Sequence, residues 1–408
     1  MKTAIVTSGF LPVPATKGGA VENIVVNVLN VNEKEKKEQF LVYSIYDKKA
    51  AEESKKYKET QFVFIKSNVF IKSLDRITFF VAKNFLRKKN SQSYRCIFQR
   101  LYFLRKVSND LHKNNYKKII LENHPTQYFC LKWHNNYKKY IGKYYYHCHN
   151  EFPGTYGMDK IIKKTEKFIC VSQFIANYLS NKVEIPISKC YVLKNAIDEE
   201  LFNKELSNEE KKEIKSKYNI KEGDKVLLFT GRIVQEKGVK ELIEALIPIK
   251  DENFKLIIVG SSLNDLDVRT KYQDEVSELV NKLNDKVIFT GFIKYDEIYK
   301  FYKIADIAIL PSIWDDPAPL TVIEAIVCGL PIITTKSGGI PEYATNESAV
   351  IIKRNDTLVE NISKNIEILI NNRAMLEKMK KNEMKISKEY NKNSFYDNFV
   401  LCIKYEEY

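Results

Sequence analysis

No stretch of this chain approaches the ~18–20 uninterrupted apolar residues that cross a bilayer. No two cysteines form a C-x-x-C pair, and their number, seven, is odd. Scattered through apolar contexts such as Cys170, Cys190 and Cys328, they read as reduced, mostly buried thiols of a reducing compartment. The sequence also lacks internal repeats, low-complexity linkers and any recognisable nucleic-acid motif, so no nucleic-acid partner is expected. Near the start, Ala4-Ile5-Val6 is too short for the apolar core of a signal peptide. It leads into Gly9-Phe10-Leu11-Pro12 rather than a small-residue cleavage site, and reads instead as a buried first strand of a cytoplasmic protein.

What is present is length, charge and alternation. At 408 residues, with 66 Lys and Arg against 52 Asp and Glu, the chain carries a net charge of +14. That balance calls for an anionic partner: nucleic acid, anionic lipid or a phosphorylated substrate. Short β-rich runs alternate with amphipathic helical stretches. Ala4–Thr7, Phe40–Ile45, Phe62–Ile65, Lys118–Leu121, Tyr144–His147 and Lys167–Val171 read as strands in the first half. Val226–Thr230, Lys255–Val259, Val287–Thr290, Ile307–Leu310 and Pro331–Thr335 read so in the second. Apolar, β-branched strands separated by helices imply parallel sheets covered on both faces. The expected fold is α/β, with two facing Rossmann-like domains and a cleft between them. The boundaries fall at 1–200 and 201–385, and a last helical segment, 386–408, packs back towards the first domain.

Chemistry concentrates in three places. A strand runs into Pro311-Ser312-Ile313-Trp314-Asp315-Asp316-Pro317-Ala318-Pro319, and a helix starting near Leu320 stops at Gly329. Asp316 in the loop and Glu324 in the helix put two carboxylates near a strand's carboxyl end, where each can clasp a vicinal diol. Upstream, Thr230-Gly231-Arg232 follows a strand, and Lys237-Gly238 leads into a helix. Free N–H groups flanked by two cations suit a diphosphate. In the first half, Lys17-Gly18-Gly19 opens a helix, with glycines that let a ligand approach the backbone. His147-Cys148-His149 stands at a strand end; three successive strand residues alternate faces and cannot converge as three ligands, so no metal is expected.

In this order and spacing, the blocks resemble retaining glycosyltransferases of family 4, which have the two-domain GT-B fold. The resemblance implies that Gly231, Arg232, Lys237 and Gly238 grip the donor diphosphate. It implies that the segment ending at Gly260 and the one at Phe289–Phe292 lie near the donor. Glu324 matches the second carboxylate of the family's E-x7-E pair and would bind ribose hydroxyls; Asp316 stands in the place of the first, at the transferred hexose. His149 aligns with a histidine that contacts that hexose, and Gly18 and Gly19 with the family's glycine loop. Ser172 and Asn195 fall in further matching segments. Two departures stand out. Aspartate replaces the usual glutamate at 316, and Ala318-Pro319 replaces Phe-Gly ahead of Leu320 and Thr321, so residue 319 offers no N–H to the donor.

The implied activity is transfer of a hexose or N-acetylhexosamine from a nucleotide diphosphate sugar, most often a UDP-sugar. The acceptor would be a saccharide or lipid-linked glycan of a cell-surface polysaccharide. Retention is expected without a covalent nucleophile, and the sugar nucleotide is a substrate, so no cofactor is needed. Arg232 and Lys237 would do the electrostatic task that a metal does elsewhere. A sugar-nucleotide epimerase and a non-catalytic sugar-nucleotide-binding partner are the alternatives. Residues 83–118 are basic and aromatic: Lys83, Arg87, Lys88, Lys89, Arg95, Arg100, Arg105 and Lys106 stand among Phe85, Phe98, Tyr102 and Phe103. They are expected either to meet an anionic membrane surface from the cytoplasmic side or to form a solvated basic helix over its own core.

Overall fold

The computed structural model describes residues 1–84, 96–260 and 271–404, with the backbone alone of residues 83 and 84. Arg87, Lys88, Lys89, Arg95 and Phe85 lie outside these residues, as does the side chain of Lys83. The chain divides into two compact units, Met1–Lys194 with the segment from Lys392 on, and Asn195–Asn391.

In the first unit the strands are β1 (Thr3–Val6), β2 (Phe40–Ile45), β3 (Thr60–Ile65), β4 (Lys118–Glu122), β5 (Tyr144–Cys148), β6 (Lys167–Cys170) and β7 (Cys190–Val192). They form one parallel sheet in the order β3-β2-β1-β4-β5-β6-β7. Ala4, Ile5 and Val6 are fully buried, which accounts for the unbroken apolar run at the start of the chain. The second unit holds β8 (Lys225–Thr230), β9 (Phe254–Val259), β10 (Val287–Gly291), β11 (Ile307–Leu310), β12 (Ile332–Thr335) and β13 (Ala349–Ile352). Their order is β10-β9-β8-β11-β12-β13, again parallel throughout. Each unit is therefore Rossmann-like. In each, the chain builds one half of the sheet outward from its first strand and then returns to build the other half. The reversal falls between β1 and β4 in one unit and between β8 and β11 in the other.

The two strands that the sequence pattern does not announce, β7 and β13, are both at sheet edges. An edge strand is covered on fewer sides, so three or four residues of partial burial suffice and no long apolar run is needed. The unit boundaries also differ from the expected ones. The division falls at Asn195 rather than after residue 200, because Ile197 bridges to Asn391 and its N–H donates to the Tyr390 carbonyl at 3.4 Å. On the far side the helix Lys392–Ile403, which starts six residues after the expected boundary, belongs to the first unit. There Tyr396 hydrogen-bonds Asn32 at 2.5 Å and Asp397 pairs with Lys37 at 2.6 Å. Among the described residues, no helix is long and apolar enough to cross a membrane.

Candidate functional site

In open parallel sheets, ligands bind beyond the carboxyl ends of the strands at the point where the order reverses. In the second unit that point is the pair of loops after β8 and β11. Gly231 follows β8, and the short 3-10 turn Gln235–Lys237 leads through Gly238 into the helix Val239–Leu246. The loop after β11 carries Asp316. The Lys237 ammonium donates to Asp316 Oδ2 at 2.5 Å, and both side chains are largely buried. Asp316 is held from behind, its carbonyl accepting from the Gly339 N–H at 2.9 Å. A small open pocket forms here, lined among others by Thr230, Lys237, Ser312, Asp316, Pro319 and Thr321. Arg232 is exposed beside the same strand end, and its guanidinium pairs with no acid among the described residues. Gly260, at the end of β9, has a φ of 146°, and a Cβ there would stand 1.9 Å from the Gly231 carbonyl oxygen. Any larger residue would push the β8 loop away, so this glycine acts by letting two loops touch.

Glu324 stands one step behind this pocket. The helix Leu320–Val327 begins with Pro319 at its cap and buries nearly all of its side chains, Glu324 included. Its Oε2 accepts from the Tyr302 hydroxyl at 2.8 Å, and that hydroxyl also meets Thr230 Oγ1 at 2.6 Å, at the end of β8. Burial pushes the Glu324 carboxyl up to about 7, against the pull of the Tyr302 and Tyr295 hydroxyls. The buried Tyr295 hydroxyl itself finds no well-formed hydrogen bond. Lys237 and Asp316 therefore share one pocket, whereas Glu324 stands behind Thr230 in a tyrosine-lined niche. Leu320 is buried, Thr321 reaches the pocket, and the Ala318 carbonyl accepts from Asn195 Nδ2 at 3.4 Å. Ser172 caps the helix Gln173–Lys182 in the first unit.

At the reversal point of the first unit the chemistry is different. Gly18 and Gly19 open the helix Ala20–Glu35, and Gly19, at φ 110°, leaves room for the Glu22 carboxylate, which a Cβ would meet at 2.2 Å. Ser8 Oγ donates to Glu22 Oε1 at 3.1 Å. Burial lifts Glu22 to about 7, and the charge of nearby Glu122 adds to the rise. Glu122 ends β4, in register with His147 of β5. Its Oε1 accepts from His147 Nδ1 at 3.3 Å and its Oε2 from His149 Nε2 at 3.1 Å. Burial alone would raise Glu122, but the two imidazoles overcome it and hold the carboxyl at about 2. Burial, with repulsion from His147, lowers His149 to about 4. An ionised carboxylate only accepts, so the protons of this pair of bonds sit on His147 Nδ1 and His149 Nε2. His147 Nε2 is buried without a partner, near the rings of Phe395 and Phe399.

Glu122, His147 and His149 are also the one group among the described residues whose ligand atoms, all within 4.8 Å, could hold a metal ion. Alternation along β5 sends Cys148 to the opposite face, as expected, but it brings His147 and His149 to the same one. The neighbouring strand then supplies the third group, which the argument from three successive residues did not consider. The mutual hydrogen bonds satisfy the donors without an ion. One Asp-x-Asp, a common metal-holding pattern in transferases, stands in the sequence at Asp265-Leu266-Asp267, outside the described residues.

Residues 210–386 match the family model described as Glycosyl transferases group 1. An uncharacterised glycosyltransferase of Methanocaldococcus jannaschii is 32% identical over 180 residues, 44% of each chain. The lipopolysaccharide 1,2-N-acetylglucosaminetransferase of Salmonella typhimurium is 25% identical over 228 residues, 55% of this chain and 56% of the relative. The chain thus spans about half the length of these two relatives. Among solved structures, a glycosyltransferase from Rickettsia africae superposes with a TM-score of 0.74 at 18% identity, over 99% of this chain and 98% of that one. HepE of Anabaena, in complex with UDP-glucose, gives 0.72 at 16%, over 98% and 99%. At such identities the likeness shows the fold, that of the GT-B glycosyltransferases.

Proposed function

We infer that the protein, whose residues 210–386 match the glycosyl transferases group 1 model, moves a sugar from a nucleotide diphosphate sugar to a hydroxyl acceptor. The donor is read as a UDP-sugar carrying a hexose or N-acetylhexosamine. The acceptor is read as a saccharide or lipid-linked glycan of a surface polysaccharide made at the cytoplasmic face. The observation that carries the reading is the pairing of Lys237 with Asp316 at the β8–β11 reversal, with Arg232 beside it and paired with no acid among the described residues. In the free protein Asp316 balances the Lys237 charge. A bound diphosphate would take over that cation and recruit Arg232, leaving Asp316 to accept hydrogen bonds from the hexose hydroxyls.

Chemically, negative charge grows on the departing diphosphate, and two cations drawn onto it when the donor binds would stabilise that charge. That task needs neither a metal nor a covalent nucleophile, which supports a metal-independent, front-face displacement with retention. His149, whose Nε2–H is committed to Glu122, would offer its other nitrogen to the hexose. Glu324 would accept from ribose hydroxyls once its carboxylate is formed. The precedents are UDP-glucose in the HepE complex and the N-acetylglucosamine of the Salmonella enzyme's name.

The test is a panel of nucleotide sugars, each incubated with EDTA present and absent, with free nucleotide and sugar product measured with and without saccharide acceptors. Nucleotide release that an acceptor accelerates, with EDTA indifferent and the anomeric configuration kept, is the expected result. Conversion of the donor without any acceptor would replace the reading with an epimerase. Tight binding of a sugar nucleotide without turnover would replace it with a binding partner.

A further inference from the structure

The helix Val69–Asn84 of the first unit is the place where large apolar side chains face solvent in number. Val69 is 80% exposed, Phe70 68%, Ile77 60%, Phe80 58% and Val81 39%. At 100° per residue these five positions fall within an arc of about 120°. The opposite face carries the buried Asp75 and Ala82, with Ile71, Leu74 and Thr78 half-buried beside them. This is a helix whose second apolar face is largely exposed to solvent. Exposed Lys72 and Arg76 border one edge of the bare stripe.

On this helix and the next, the exposed charges of the described residues have one sign. Asp75, the one acid of this helix, turns inward and caps the next helix, Ile97–Lys113, accepting from the Phe98 and Gln99 N–H groups at 2.8 and 2.9 Å. On that second helix Asp110 is tied to Tyr43, Tyr116 and Asn114, while Arg105, Lys106 and Lys113 are exposed. The apolar residues Phe103, Leu104, Val107 and Leu111 of this second helix are buried. So the described part of the basic, aromatic stretch at 83–118 covers its own core, and the bare apolar surface lies just before it.

We propose that the helix Val69–Asn84 docks the protein on an anionic bilayer. It lies in the interface plane with Val69, Phe70, Ile77, Phe80 and Val81 below the headgroups and Lys72 and Arg76 at the lipid phosphates. Apolar side chains bordered by cations and free of exposed acid are what such a surface selects. A second copy fits less well, because its own stripe is bordered by the same cations and would offer Lys72 and Arg76 no anion. An acidic protein groove is the remaining occupant, and the experiment separates it.

The measurement is flotation of the whole chain with phosphatidylcholine vesicles, with and without phosphatidylglycerol, at physiological salt and without any sugar donor or acceptor. Its outcome is therefore independent of the transfer reading. Wild type should float with the phosphatidylglycerol vesicles and stay behind with phosphatidylcholine alone. The triple variant Val69→Ser, Phe70→Ser, Ile77→Ser should lose retention at least about tenfold, with an unchanged melting temperature because these side chains are mostly exposed in the free protein. Lys72→Glu with Arg76→Glu should abolish the preference for the anionic lipid. If wild type does not float with anionic vesicles, or the triple variant floats as wild type does, the assignment is wrong. Wild type that is dimeric by light scattering, is made monomeric by the triple variant and does not float would assign the face to a second copy instead.

Discussion

The two reversal points use the same backbone device for opposite chemistry. After β8 and β11 the second unit presents Lys237, Arg232 and a single engaged acid, Asp316. After β1 and β4 the first unit gathers Glu22 and Glu122, with His147 and His149 bound to the latter. A parallel sheet supplies loop ends and free N–H groups in both cases, so the frame alone does not choose a ligand. The side chains do: cations in one unit, which would suit a diphosphate, and carboxylate with neutral imidazole in the other, which would suit hydroxyl groups. The ways to break this contrast differ in size.

The largest effect should come from the cations. Arg232→Ala and Lys237→Ala each remove charge that matters most as the diphosphate leaves. Each should lower kcat by about 10²–10³-fold, the usual cost of losing one preorganised donor to a developing anion. Lys237→Ala should also leave Asp316 buried without its cation, costing stability as well; Arg232→Ala, at an exposed site, should not. If turnover in Arg232→Ala stays within about twofold of wild type, the second reversal point is not where the diphosphate sits.

Next comes the response to pH, which should differ between the units. Glu324 is raised to about 7 and Glu383, buried with neither oxygen well hydrogen-bonded, to about 9. A carboxyl whose pKa rises on folding stabilises fully below its unfolded value, and that stability is lost as pH climbs through the folded one. The second unit should therefore weaken from about pH 5 to about pH 9, by on the order of 3 kcal/mol for Glu324 alone. In the first unit the lowered His149 weakens the fold as pH falls from its unfolded value towards about 4. Raised Glu22 works the other way over much the same range. Glu122, lowered to about 2, then loses its contribution as pH drops below the usual carboxylate range. Hydrogen exchange read separately for the two units should show the second loosening with alkali and the first with acid. Parallel behaviour would remove the electrostatic contrast.

Glu324 also gives a smaller, kinetic test. If its carboxylate accepts from ribose, the donor KM should rise as pH falls below about 7, and Glu324→Gln should raise KM about tenfold and erase the dependence. A pH profile unchanged in Glu324→Gln would leave the residue with a purely structural part beside Tyr302.

Much of this contrast was legible in the residue order. The apolar strands, the glycine turns and the spacing of Arg232, Lys237 and Asp316 are local patterns, and local patterns survive in one dimension. Glu122 was not legible as a partner of His149. The two meet because β4 and β5 pair in parallel register, although Glu122 and His149 stand 27 positions apart in the chain. The available signal was an acid closing the apolar run Ile119-Ile120-Leu121, together with a His-x-His on the next strand. Tyr302 was hidden for a similar reason: its helical pattern announces a buried face, and only the packing shows that its hydroxyl joins Thr230 to Glu324.

The smallest expected effect is at Pro319. Proline fixes the backbone at the start of the helix Leu320–Val327 and withholds an N–H at the mouth of the pocket. Pro319→Gly would restore a donor at the positive end of that helix, where the transferred sugar or its phosphate would lie. It would also free the unfolded chain, at a cost of about 1 kcal/mol in stability. Donor KM should fall about two- to threefold, within the range of a single added neutral hydrogen bond, and kcat should change less. A lower melting temperature with KM unchanged would mean that the amide at 319 never faces the donor. The pocket would then depend on the Lys237–Asp316 pair for its polarity, and the contrast with the carboxylate-rich first unit would narrow to that one ion pair.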